Sequence, residues 1–336
     1  MRISSLSPSW RPRCHISGGA DPFVNHTSAA DRPVLGILLM LGFCVMAPLG
    51  DATAKLLGGQ IDVAELVAIR MGVQVIVLLP VVWFLSISIQ LDARKFRLVA
   101  IRSVLHMVGI GMMFLSLRYL PLADAVAIAF VMPFIMLLLG HFVLQEEVGH
   151  RRLIACSVGF IGTLMVMQPS FAEVGWPAFL PLGVALDFAL FMLVTRQLAK
   201  DIDAVSLQLV SGVIACVLLL PFLVVLGQFD VPGFRLSMPD SGTWWLVLTM
   251  GLLGTCAHLL MTSALKFAPS ATLAPMQYLE IPVAALLGWL IFRDFPNGLA
   301  LAGIGVTIAA GLYIIAREQS VSRSARKSPP PEMPSV

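Results

Sequence analysis

Two acids stand where acids are costly. Glu280 and Asp187 each fall in the middle of a long apolar run, where a charged side chain costs roughly 2.5–3.5 kcal/mol if the run crosses a bilayer. Two chemistries would repay that cost: holding a cationic or hydrogen-bond-donating group of a substrate, or carrying a proton. A structural role is the alternative, each acid hydrogen-bonded inside a helix bundle. Gln277 and Tyr278 precede Glu280, and Pro282 follows it, so freed backbone groups and polar side chains gather at one level of the chain.

A second group, Asp51, Lys55, Glu65 and Arg70, lies near the ends of the first two apolar runs. Asp51 and Lys55 are four residues apart, the spacing of an ion pair on one helix face, which reads as a structural pair or an outer gate. Arg70 is deeper. Its planar fork could clamp a carboxylate or phosphate, or it could pair with Glu65 or Asp51. His106 could titrate or hydrogen-bond a substrate, although a lone histidine in a bundle more often packs, and His141 and His258 read as packing residues. Asp124 reads as a residue complementing a helix N-terminus. Methionines such as Met107, Met113 and Met132, with Phe114 and Phe130, could line an adaptable cavity or serve as core.

The elements that would position these groups are membrane helices. The chain of 336 residues is 58% hydrophobic and 12% charged, and its mean hydropathy of +0.90 is far from that of a soluble domain. Runs able to span a bilayer as helix fall near 34–57, 64–87, 99–117, 121–144, 152–168, 176–196, 204–227, 243–265, 269–292 and 298–316. They are continuous rather than alternating, so the fold class is an all-α integral membrane protein with ten transmembrane helices, not a barrel. Residues 1–33 and 317–336 read as polar tails, the second disordered.

Of the 22 basic residues, most, including Arg94, Lys95, Arg97, Arg102, Arg151, Arg152 and Lys266, fall on one side if both tails share it. Only Lys55, Arg118, Arg235 and Arg293 fall opposite, with Arg70 inside a span. Positive loops stay cytoplasmic, so both termini are expected there. The five cysteines are scattered and have no metal-like spacing.

The chain also repeats itself. "SLRYLPLADAVAIAFVMPF" from Ser116 matches "ALKFAPSATLAPMQYLEIP" from Ala264 at a constant offset of 148 residues, aligning Arg118 with Lys266, Pro121 with Pro269 and Gly140 with Gly288. "IDVAELVAIRMGV" from Ile61 matches "IDAVSLQLVSGV" from Ile202. Two halves, 34–169 and 170–316, each with five spans, must cross the membrane in opposite senses: an inverted repeat, the plan of many secondary transporters. In this register Glu280 and Asp187 correspond to about Met132 and Met46, and Arg70 to about Ser211. Pro133 and Pro282 are near-equivalent and read as paired hinges.

The stretch "SLRYLPLADAVAIAFVMPFIMLLLGHFVLQEEVGHRRLIACSVGFIGTLMVMQP", with "PLGDATAKLL" and "RMGVQVIVLLP" before it, resembles the EamA family of the drug/metabolite transporter superfamily. "LQEEVG" departs from the Gly-Glu pair frequent there. The resemblance implies ten helices in two inverted halves, cytoplasmic termini, and movement of small metabolites such as amino acids, riboflavin or S-adenosylmethionine. The expected protein is a secondary transporter of the bacterial inner membrane, monomer or homodimer, whose partners are its substrate, lipid and protons as a candidate coupling ion. No cofactor, metal or nucleic acid is expected.

Two rival readings are a non-transporting receptor-like bundle and a membrane-embedded enzyme. The second is prompted only by "HTSAAD" in the first tail. With no nucleophile elbow or phosphate loop, the chain is not expected to be an enzyme.

Overall fold

The computed structural model describes residues 33–327 apart from Ser88, Gln90, Pro133, 136–138, 140–149, Lys200, Asp230, Pro232, 238–239 and 268–272. Pro133, Gly140, His141 and Pro269, singled out above, therefore lie outside the described residues. The α-helices are α1 (Pro33–Leu57), α2 (Val63–Phe84), α3 (Ala93–Leu117), α4 (Leu122–Ala129), α5 (His150–Val174), α6 (Leu180–Leu198), α7 (Ala204–Gln228), α8 (Trp244–Phe267), α9 (Glu280–Leu287) and α10 (Gly298–Lys327). A 3₁₀ segment, Trp176–Phe179, leads into α6; another, Ala274–Leu279, leads into α9; a π-helical turn, Gly288–Phe292, follows α9.

Local signals start the helices as expected of them. Asp92 accepts from the Lys95 amide at 2.7 Å and Asp203 from the Val205 amide at 2.9 Å, capping α3 and α7. The Asp92 cap starts α3 ahead of its apolar run, so Arg94, Lys95 and Arg97 join the helix as good helix formers. Helix α10 likewise continues through 317–327, where the sequence suggested a disordered tail. Its Ala, Arg, Gln and Glu content suits a helix that no proline interrupts before Pro329.

Burial is distributed in the opposite way to a soluble protein. Charged and amide side chains are inside: Glu65, Arg70, Gln74, Arg102 and Asp187 are all buried. Large apolar side chains are outside, among them Ile76, Val217, Phe222 and Leu248. An apolar exterior needs hydrocarbon as its solvent. Six helical segments among the described residues are long and apolar enough to cross a membrane: Leu35–Leu57, Val63–Phe84, Ala93–Leu117, Trp176–Leu198, Ala204–Gln228 and Trp244–Phe267.

The packing pairs run across the two halves. Helix α1 lies along α8 and α3 along α6; α2 packs on α7, α4 on α9 and α5 on α10. Small residues let these backbones approach. At the α5–α10 crossing, Gly162 and Gly303 face each other so closely that a Cβ on Gly303 would lie 2.5 Å from the Gly162 carbonyl oxygen. We predict that Gly303→Val, which must push α10 off α5, lowers stability by about 1–3 kcal/mol, read as a lower thermal midpoint of the protein in detergent; an unchanged midpoint would refute the tight crossing.

Candidate functional site

One cavity collects most of the residues singled out by type. It is formed by α1, α2, α3, α4, α6, α8, the 3₁₀ segment Ala274–Leu279 and α9. It holds about 870 Å³ of space free of atoms, counting its mouth. Helix periodicity explains what points into it. Phe43, Ala47 and Asp51 are successive four-residue steps along α1. His106, Gly109, Ile110 and Met113 make one face of α3, and Val184, Asp187, Phe188 and Phe191 the equivalent stripe of α6. Gln277 and Glu280 are three apart where the chain is 3₁₀, and side chains at that spacing eclipse, so both reach the cavity.

Arg70, from α2, is buried. Its guanidinium lies against Gly254 of α8, where an added Cβ would come within 2.5–2.8 Å of it. The glycine thus makes the guanidinium's berth. Arg70 Nη2 is 3.2 Å from His258 Nδ1, and the same nitrogen is 3.1 Å from the Gly254 carbonyl oxygen. Arginine can only donate, so Nδ1 either accepts from Arg70 or donates to Gly254, and one protonation state cannot do both. The His258 ring is 4.3 Å from that of His106, which stacks on Phe191 at 5.1 Å. Both His106 ring nitrogens and Gln277 Oε1 are buried without a hydrogen-bond partner among the described residues. Such atoms in a cavity wall are available to a bound molecule.

Asp51 is close enough to Arg70 and to Glu280 to interact with both through charge. Asp187 lies apart, its carboxylate packed onto Gly109 of α3, where no larger residue would fit beside it.

Several sequence expectations are corrected. Asp51 and Lys55 are not a pair: Lys55 donates to the Leu120 carbonyl at 2.8 Å and pairs with Asp294 at 3.4 Å, because the flexible lysine reaches past the end of α1 to the loops. Glu65 does not meet Arg70; it accepts from the Ser237 amide at 2.9 Å and hydroxyl at 2.7 Å, fastening the loop between α7 and α8. Tyr278 does not line the cavity; its ring packs at a tilt, 5.2 Å between centres, on the lining residue Phe130. Asp124 stands in the first turn of α4, as expected, and in addition accepts from Ser170 at 2.9 Å, tying α4 to α5. Pro282 lies just inside α9 at the change from 3₁₀ to α-helix, as expected of a ring that excludes the carbonyl four residues back.

His258 was expected only to pack and is instead a cavity residue; the repeat gave no signal for it, since it has no polar counterpart in the first half. Arg102, counted with the cations on the side of the tails, is wholly buried. It donates to Thr195 Oγ1 at 2.9 Å, Ser211 Oγ at 2.7 Å and Gln208 Oε1 at 3.1 Å, and its guanidinium lies 4.6 Å from the centre of the Phe191 ring. It therefore joins α3 to α6 and α7 behind the aromatic wall of the cavity. No group of three or more His, Cys, Asp or Glu side chains among the described residues is arranged to hold a metal.

Similarity now gives this geometry a context. The sequence matches the EamA-like transporter family over residues 34–168 and again over 175–317. The chain belongs to that family. It is a multi-pass membrane protein, and the residues between the two matched segments, 169–174, are the end of α5.

Among curated relatives, the chain is 25% identical over 293 residues to an S-adenosylmethionine uptake transporter of Rickettsia prowazekii (strain Madrid E), covering 87% of this chain and 96% of the relative. It is 30% identical over 224 residues to a riboflavin transporter of Rhizobium johnstonii (strain DSM 114642 / LMG 32736 / 3841), covering 66% and 71%. A solved protein chain superposes with a TM-score of 0.59 over 88% of this chain and 98% of its own length, at 13% identity, a likeness of fold alone.

Arg102→Leu would leave three buried acceptors without their donor. We predict a loss on the order of 3 kcal/mol, with Arg102→Lys intermediate, measured by thermal or chemical unfolding in detergent; equal stability of all three proteins would rule out a joining role for Arg102.

Proposed function

We propose that the chain is a secondary active transporter that moves a small organic metabolite across the bacterial inner membrane by alternating access. The observation that carries this reading is the make-up of the cavity. The first matched segment supplies Asp51, Arg70 and His106, and the second supplies Asp187, His258 and Glu280. A charged cavity built equally by two repeated units is what a transporter needs, because a site between two halves can face one side and then the other.

The packing supports an inverted relation of the halves, with ten membrane helices in all. Counting on five helices turns the α1–α8 contact into α6–α3, α2–α8 into α7–α3 and α1–α9 into α6–α4, while α2–α7, α4–α9 and α5–α10 map onto themselves. A two-fold exchange of halves generates this list. With five spans per half the exchange inverts direction, and the positive-inside bias puts both tails in the cytoplasm.

In the present arrangement the Arg102 bonds close α3 against α6 and α7 toward the ends of these helices that face the tails. Release of a substrate into the cytoplasm requires those bonds to part. Glu280 begins α9 beside the 3₁₀ segment, so a change of helix type there would move the carboxylate with its proton or its ligand. The stretch around Pro282 is the hinge in this reading. The relatives' names place S-adenosylmethionine and riboflavin among the substrates to be tried.

Reconstituted protein should accumulate labelled metabolite under an imposed pH gradient, whereas a receptor or an embedded enzyme would not. If Glu280 carries the proton, Glu280→Gln loses pH-driven accumulation and keeps substrate-for-substrate exchange; if it holds substrate, both fall. Wild-type behaviour in both assays would leave Glu280 a structural residue. For topology, single cysteines placed before residue 33 or after residue 327 should resist an impermeant thiol reagent in intact cells, and labelling there would reverse the orientation.

A further inference from the structure

We infer that the molecule bound in this cavity is a ring-bearing organic cation, with a net positive charge, rather than a neutral or anionic metabolite. The inference deepens the transporter reading and rests on it for placing the ligand here.

The groups lining the cavity that can be charged are Asp51, Asp187 and Glu280 on one side of the account and Arg70 on the other, with the imidazoles of His106 and His258. With neutral imidazoles the carboxylates exceed the guanidinium by two. Charges held among apolar helices must be compensated close by. Of the neighbouring cations, Lys55 is paired with Asp294. Arg102, against the Phe191 ring, is bonded only to the neutral oxygens of Thr195, Ser211 and Gln208 and so still offsets one carboxylate. One carboxylate remains in excess, and a cationic occupant balances it where a proton does not.

The wall of the cavity suits the same occupant. Phe43 stacks with Phe188 at 6.5 Å and Phe188 with Phe191 at 5.8 Å, a row of rings along one side of the cavity. Ring faces stack on flat heterocycles and attract cations that have lost their water. Asp187 projects from the same stripe of α6 as Phe188 and Phe191, so an anionic oxygen stands beside the ring row.

His106 is 4% exposed and has no partner for either ring nitrogen, and Gln277 is 1% exposed with Oε1 unpartnered, both among the described residues. Buried polar atoms left this way in a cavity wall are the ones a bound molecule would satisfy. An imidazole offers one donor and one acceptor, and the Gln277 oxygen needs a donor, which together suit the edge of a nitrogen heterocycle. Arg70 leaves a place for one carboxylate on the same molecule, provided the net charge stays positive.

The test is direct binding to the full-length protein in lipid nanodiscs, by calorimetry. The probes are S-adenosylmethionine, a sulfonium cation; S-adenosylhomocysteine, the same molecule without the methyl group and its charge; and riboflavin, a neutral ring. The cation should bind at least about tenfold more tightly than either neutral probe, and Asp187→Asn and Glu280→Gln should each narrow that ratio. Equal or tighter binding of a neutral probe would overturn the inference, because the carboxylates would then be balanced by protons.

Should all three probes fail to bind, a size-matched panel of ring compounds spanning net charge −1 to +1 decides, and a neutral or anionic best binder is the overturning result. The transporter reading fails separately. Cation binding without accumulation in proteoliposomes would sink that reading alone, and accumulation of riboflavin without S-adenosylmethionine would sink only the charge assignment.

Discussion

A guanidinium inside an apolar bundle is tolerated only where its hydrogen bonds are accepted, and Arg102 meets that condition with three neutral oxygens from two other helices. The cost of an unmet bond at that depth is what makes the arrangement directional. Helices α3, α6 and α7 must bring Thr195, Ser211 and Gln208 to one place or strand the charge. Gln74 of α2 extends the same knot by donating to the Gln208 carbonyl at 2.7 Å. The aromatic wall follows from it too, since Phe191 is held between the Arg102 guanidinium and the His106 ring.

The two halves use this constraint asymmetrically. Ser211, which receives Arg102, stands at the position that the repeat register equates with Arg70. At the junction of α3 with α7 the cation comes from α3 and a serine accepts it; at the junction of α8 with α2 the cation occupies the serine's place and leans on Gly254 and His258. The first junction is fastened by two bonds to α7 side chains, with a third to Thr195 of α6, the second by a single contact to an imidazole. Two similar halves with unequal fastenings are what allows one side of a bundle to be closed while the other is free to change.

At the opposite ends of the helices, away from the tails, polar side chains tie loops rather than helices. Arg118 donates to the Ile61 carbonyl at 2.5 Å and pairs with Asp62 at 3.6 Å, while Asp62 accepts the Gly233 and Arg235 amides. Lys55 joins the end of α1 to Leu120 and Asp294. These groups sit at the level where water can reach, so their bonds exchange with solvent at modest cost, unlike those of Arg102.

What the sequence determined by itself was the membrane environment, the approximate positions of the helices, the family, and the residues too polar for their surroundings. Each of these rests on local composition or on a repeat visible along the chain. Glu280, Asp187, Arg70, His106 and Gln277 were legible because a polar group in an apolar run is conspicuous wherever it ends up. Tertiary structure alone decided their company. Asp51 leaves Lys55 for the cavity and Glu65 goes to a loop, because a four-residue spacing offers a partner without excluding a better one elsewhere.

The roles of His258 and Arg102 depend on the same thing: one lines the cavity only because α8 meets α2, and the other is buried only because α3 meets α6 and α7. Periodicity tells which residues share a face of a helix. Which face looks inward, and onto what, is set by close approaches such as Gly254 under Arg70 and Gly109 under Asp187, between residues far apart in the chain.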